Sequence, residues 1–210
     1  MMNPKNIFAA GFFASVMAFT IFVLVSRESY LYEIFIHTSL LFAALYIIWK
    51  GNLRSTLSGV GVPGSIKTNI VWTICGFILV FITMLALAFV LSAFDINDNY
   101  KVYGVIKKIP SWLLMLAVFG APITEELFFR AALLQRLSPV FGSAGAITLS
   151  AIAFGLSHVF YGSVTEIIGA TVIGMVLAFI FIRTNSVVPP ITVHFGFNLS
   201  TIVAVMYGGG

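Results

Sequence analysis

The sequence predicts an all-α protein, a polytopic transmembrane helical bundle of about seven spans. Composition is the first reason. Of 210 residues, 60% are apolar and 9% charged, where soluble domains carry about a quarter charged, and the mean hydropathy is +1.08. The second reason is length. Apolar runs of about 20 residues, enough to cross a bilayer as helix, follow one another along the chain and leave no room for a sizeable soluble domain. The net charge of +4 comes from 11 scattered Lys and Arg. With no dense basic run, nucleic acid is not an expected partner, and membrane lipid is. A single cysteine, Cys75, excludes an intramolecular disulfide and a cysteine-rich metal site.

Residues 7–25 form the first apolar run, with Lys5 before it. Because the apolar character continues along the chain, this run is expected to be a retained helix rather than a cleaved signal. The second span is 31–49, ending on Trp49 and Lys50, an aromatic and a cation suited to an interface. A Gly- and Ser-rich loop leads to the third span, 70–94, and residues 95–110 form a polar loop on the far side, partly interfacial. The fourth span starts near Ser111 and is expected to kink at Pro122, with a turn at Ser138 and Pro139. Spans five, six and seven are 144–161, 165–182 and 190–207. Residues 1–110 thus hold N-terminal helices and loops and 111–210 the helices with the polar motifs, in one membrane domain. With the N terminus inside, seven Lys and Arg fall on the cytoplasmic side (Lys5, Lys50, Arg54, Lys67, Arg130, Arg136, Arg183) and four outside (Arg27, Lys101, Lys107, Lys108). The count favours a cytoplasmic N terminus.

The stretch 121–136, APITEELFFRAALLQR, places Glu125, Glu126 and Arg130 in a run otherwise apolar enough to cross the membrane. A charge at mid-bilayer costs about 2.5 to 3.5 kcal/mol on insertion scales, so three within six residues need a reason. Glu126 and Arg130 are four apart, acid first, the favourable order for a pair on one helix face. Glu125 points about 100° away, which frees one carboxylate for chemistry. Further polar residues fall in later spans: His158 one turn after Phe154 in FGLSH, and His194 and Asn198 on one face in HFGFN. Groups this costly in lipid are expected to converge inside the bundle. If the fourth span leaves the membrane near Arg130, the convergence lies in the cytoplasmic half. His37 shares a face with Glu33, four apart; the pair is read as structural, with an auxiliary polar pair lining the cavity as the alternative.

EELFFR, FGLSH and HFGFN, in that order, resemble the three motifs of the CAAX-protease and bacteriocin-processing (ABI) family of intramembrane endopeptidases, in its type II CAAX prenyl endopeptidase-like form. The resemblance covers about 111–207. The chain departs from it at Ala131, where a glycine often follows the motif arginine. It implies that Glu125 is the general base on water with His158 assisting, that His194 and Asn198 polarise the scissile carbonyl and hold the oxyanion, and that Glu126, Arg130 and Phe154 support them. No cofactor is favoured. The implied partner is a peptide or protein substrate, in some cases membrane-anchored, and the implied location is a bacterial or archaeal cytoplasmic membrane.

The residues leave rivals open. Glu125, His158 and His194 are also the types that bind catalytic zinc, although the HExxH spacing is absent and three helices would have to supply the ligands. The same cluster could bind a peptide without cutting it, as in bacteriocin immunity. A proton-coupled carrier fits less well, since the two halves of the chain show no matched repeat.

Overall fold

The computed structural model describes residues 29–50 and 65–208, so the expected first span lies outside the described residues. Among the described residues there is no strand. The helices are α1 (Ser29–Lys50), α2 (Ile66–Ala93), the short α3 (Asn99–Ile106), α4 (Ser111–Glu126), a π-helical segment (Leu127–Leu134), α5 (Gln135–Leu156), a 3-10 turn (Val159–Tyr161), α6 (Val164–Thr184) and α7 (Val188–Tyr207). Among the described residues, four helical stretches are long and apolar enough to cross a membrane: Ile66–Ala93, Ser111–Tyr161, Val164–Thr184 and Val188–Tyr207. This is an integral membrane protein with an all-helical bundle. The expected count of seven spans is not confirmed, because the first lies outside the described residues and spans four and five run as one helical stretch folded on itself.

That fold lies at Gly142, with φ 67° and ψ 173°, rather than at Ser138 and Pro139. The combination is open essentially only to glycine, so the reversal falls where a Cβ is missing. After it the chain runs back along its own path. Ala146 shares a core cluster with Leu134, and Phe154 packs on Phe129 at 5.1 Å.

The ladder changes after the acidic pair, not at Pro122, which sits within α4. From Leu127 to Leu134 the bonding is π-helical, a form that re-aims the side chains following it and recurs at functional sites. Arg130 is 1% exposed, and the helix continues past it to Gly142.

Helix α6 is the centre of the bundle. Ala170, Gly174 and Ala178 are spaced by four along one of its faces, all buried, and small residues at that spacing let membrane helices approach closely. Gly174 faces Ala151 and Phe154 of α5. The opposite side of α6 supplies Ile173, Val176, Leu177 and Ile180 to a cluster with Val80 of α2 and Val193 of α7. Helix α2 by contrast exposes Phe81 and Phe89, at 70% and 77%, as a lipid-facing helix must.

Asp98 joins the two loops at one end of the bundle. Its carboxylate accepts from the Ser163 hydroxyl at 2.7 Å and from the backbone N–H groups of Val164 and Thr165 at 2.9 and 3.0 Å. These are first-turn donors of α6, a helix end that favours an anion. Lys101 donates to both Asp98 and the Gly162 carbonyl. The Ser163 hydroxyl and these backbone donors hold the Asp98 carboxyl well below the ordinary carboxylate range.

Candidate active site

Glu125 and Glu126 end the α-helical part of α4, about 21 Å from Ser111 at 1.5 Å per residue, and both are buried, at 6% and 0% exposure. As adjacent residues they point in different directions and meet different partners. Glu126 Oε2 lies 3.0 Å from Arg130 Nε. The two are in contact as ions, while the N–H is not aimed for a hydrogen bond. Arg130 Nη2 donates to the Gly174 carbonyl at 3.3 Å, and the guanidinium lies 4.6 Å from the centre of the Phe154 ring. The arginine is thus held by a charge, a carbonyl and an aromatic face.

His194 comes from α7, whose first turn is built on Pro189 and Pro190. Its Nδ1 is 3.0 Å from Glu126 Oε1 and its Nε2 is 3.6 Å from Glu125 Oε2. One imidazole therefore spans the two carboxylates. Because a carboxylate only accepts, Nδ1 donates to Glu126. Nε2 then donates only when the ring is an imidazolium. Glu125 Oε2 is buried and has no hydrogen-bond partner among the described residues.

His158 lies within the candidate membrane-spanning stretch Ser111–Tyr161, but past its α-helical part: α5 ends at Leu156, and His158 follows it with φ −93° and ψ 5°, just before the 3-10 turn. This is the bridge region of backbone space, where many active-site residues lie. Its Nδ1 is 2.9 Å from the Phe154 carbonyl, which can only accept. Nδ1 therefore carries the proton, and Nε2 is the nitrogen that can accept one. The Phe154 ring packs on His158 at 5.0 Å and edge-on against His194 at 5.6 Å.

A cavity of about 620 Å³ is lined by Glu125, Phe154, His158, His194 and Asn198, within the usual range for ligand pockets. The structure brings Glu125, Glu126, Arg130, Phe154 and His194 into one contact network, with His158 and Asn198 on the same cavity wall. Asn198 makes no hydrogen bond among the described residues. The cavity runs toward Asp95, Asn99, Tyr161 and Thr165, the end carrying the 95–99 and 157–165 loops.

His37 of α1 was read from sequence as structural. Its Nδ1 lies 3.4 Å from Glu125 Oε1 and 3.3 Å from Thr124 Oγ1, and it lines the cavity. A polar residue in an apolar run was the available signal, but pairing it with Glu33 on its own helix hid the partner on α4. For the zinc alternative, no group of three His, Cys, Asp or Glu among the described residues is arranged to hold a metal ion. His194 directs both ring nitrogens at carboxylates and His158 commits Nδ1 to a carbonyl.

The fold and site define an integral membrane protein with a buried carboxylate–histidine centre. Residues 107–200 match the family described as Type II CAAX prenyl endopeptidase Rce1-like. All seven motif residues lie in this segment; His37 does not. The chain is 28% identical to a Bacillus subtilis protein named as a membrane peptidase, YdiL, over 70% of this chain and 59% of that one. It is 31% identical to CAAX prenyl protease 2 of Homo sapiens over 35% of this chain and 28% of that one. The chain therefore spans less than two thirds of either relative. No solved structure matches it.

Proposed function

We propose that this protein is an intramembrane endopeptidase that hydrolyses a peptide bond with water activated by Glu125. The observation that supports this reading most is the single imidazole of His194 spanning Glu125 and Glu126 beside the cavity. Glu126, tied to Arg130 and His194, is the fixed carboxylate. Glu125 has an oxygen left for water. In the proposed reaction Glu125 takes a proton from water as its oxygen attacks the scissile carbonyl carbon. The Asn198 amide and the imidazolium form of His194 donate to the tetrahedral oxyanion. The C–N bond then breaks and the proton passes to the leaving amine, with His158 Nε2 assisting.

The proposed substrate is a peptide or protein in or at the membrane. The human relative's name makes a farnesylated CAAX peptide the first probe, with its unprenylated twin as the comparison. We further propose a bacterial or archaeal cytoplasmic membrane with a cytoplasmic N terminus.

The test is purified protein in liposomes with both peptides, the released fragment measured by mass spectrometry. Glu125→Gln should lower cleavage at least about 10²-fold, as for loss of a general base, while the protein stays folded in the membrane. Full activity in that variant would sink the assignment. Cleavage that persists in strong chelator supports the metal-free route; loss restored by zinc transfers the proposal to the zinc alternative.

A further inference from the structure

We infer that His37 is a positioning residue for Glu125, which rests on the proposal that Glu125 activates water. His37 lies on α1, outside residues 107–200. Its Nδ1 sits between two oxygens, Thr124 Oγ1 at 3.3 Å and Glu125 Oε1 at 3.4 Å. The Thr124 hydroxyl is itself within reach of two backbone carbonyls of its own helix, Ala121 at 3.1 Å and Gly120 at 3.3 Å. A carbonyl only accepts, so the hydroxyl proton goes there and Thr124 Oγ1 turns lone pairs toward His37. An ionised Glu125 is likewise an acceptor. Both atoms facing Nδ1 ask for its proton, and the geometry assigns it as Nδ1–H.

The consequence is a division of labour between the two oxygens of Glu125. Oε1 faces His37 Nδ1 at 3.4 Å, an ion-pair distance. Oε2 has no hydrogen-bond partner among the described residues and faces His194 Nε2 at 3.6 Å. A carboxylate pinned at one oxygen by a shared N–H cannot swing away from the scissile bond, and misplacement of a reacting group by about 1 Å costs about 10²-fold in rate. The charged and titratable groups about Glu125 come from three directions: His37 on α1, His194 on α7, and Glu126 with Arg130 on its own helical run. Among the described residues, His37 alone reaches Oε1 from outside the three motifs. Its side chain is 18% exposed and lines the cavity beside Ile36 and Leu40 of the same helix, so α1 is a wall of the site as well as a carrier of this group.

The experiment compares wild type, Glu125→Gln, His37→Ala, His37→Asn and His37→Gln in proteoliposomes, with the farnesylated CAAX peptide and its unprenylated twin as probes. An asparagine amide can donate from the place of Nδ1; a glutamine amide donates from the place of Nε2. We expect His37→Ala to lower kcat about 10- to 100-fold with KM changed less than about threefold, and His37→Asn to restore most of it. His37→Asn should exceed His37→Gln by about tenfold, a comparison that stands even if the alanine variant does not fold. Equal rates for Asn and Gln, or wild-type kcat in His37→Ala while Glu125→Gln is inactive, would overturn the role of His37 and leave the Glu125 base intact. Full activity in Glu125→Gln overturns both, and shows it without touching His37.

Discussion

His194 Nδ1 lies 3.0 Å from Glu126 Oε1 while the other nitrogen of the ring lies 3.6 Å from Glu125 Oε2. Two adjacent carboxylates are thereby made unlike. Glu126 also has Arg130 beside it and is fully buried; Glu125 faces the cavity.

The two glutamates should therefore separate by stability. Glu126→Gln strips the counter-charge from Arg130, and breaking a buried pair costs about 3 to 5 kcal/mol. Glu125→Gln leaves that pair intact and should cost much less. Thermal unfolding in detergent measures the difference, and equal losses would show that the two carboxylates share one structural role.

Arg130→Lys should not replace the arginine. A lysine keeps the charge for Glu126 but loses the planar group over Phe154 at 4.6 Å and the geometry toward the Gly174 carbonyl at 3.3 Å. The expected loss is about 1 to 3 kcal/mol of stability, and since Phe154 also packs on both site histidines, activity should fall with it. A fully active and stable Arg130→Lys protein would mean that charge alone is needed.

Asn198→Ala tests the oxyanion assignment with little structural cost, because this side chain makes no hydrogen bond among the described residues. Loss of one oxyanion donor lowers kcat about 10²- to 10³-fold. The expected result is that loss with an unfolding temperature close to wild type. Unchanged kcat would remove Asn198 from the reaction.

Gly155→Ala tests how closely α5 and α6 cross. A Cβ there would run into the Thr171 hydroxyl and meet the Ile167 carbonyl oxygen at 2.7 Å. Overpacking of this kind costs about 1 to 3 kcal/mol. The helices should part, and His158, three residues on, should shift with α5. A stability measurement together with the cleavage rate checks both effects.

Asp98 predicts an acid-sensitive tie between the loops. Its carboxyl is held well below the ordinary range, first by Ser163, so its contribution is complete above the unfolded value of about 3.9 and declines as pH falls below it. Wild type should lose unfolding temperature from about pH 4 downward more steeply than Asp98→Asn. Parallel curves would show that this carboxylate does not govern the loop junction.

Much of the bundle was readable because its causes are local. Past Glu166 the run 165–182 is almost wholly apolar, and Ser163 and Asn185 cap it, so α6 falls within two residues of its expected ends. The turn between spans four and five was misplaced because Pro139 is the louder breaker in sequence. Pro139 is accommodated within the helix, and Gly142 makes the reversal through a backbone conformation that glycine permits but that the presence of a glycine does not by itself announce.

For the site, sequence by itself determined which groups demand a partner: Glu125, Glu126, Arg130, His158, His194 and Asn198 are too polar for lipid and must turn inward. It also determined the Glu126–Arg130 pair, since four residues along a helix is a local distance. Tertiary structure alone decided that His194 spans both carboxylates, that the cavity opens toward the 95–99 and 157–165 loops, and that His37 reaches Glu125 from α1. Those facts depend on how far each helix is shifted and rotated against its neighbours. That is set by the packing of Ala170, Gly174 and Ala178 on α5, by the π segment after Glu126 and by the fold at Gly142, and no spacing along one helix encodes it.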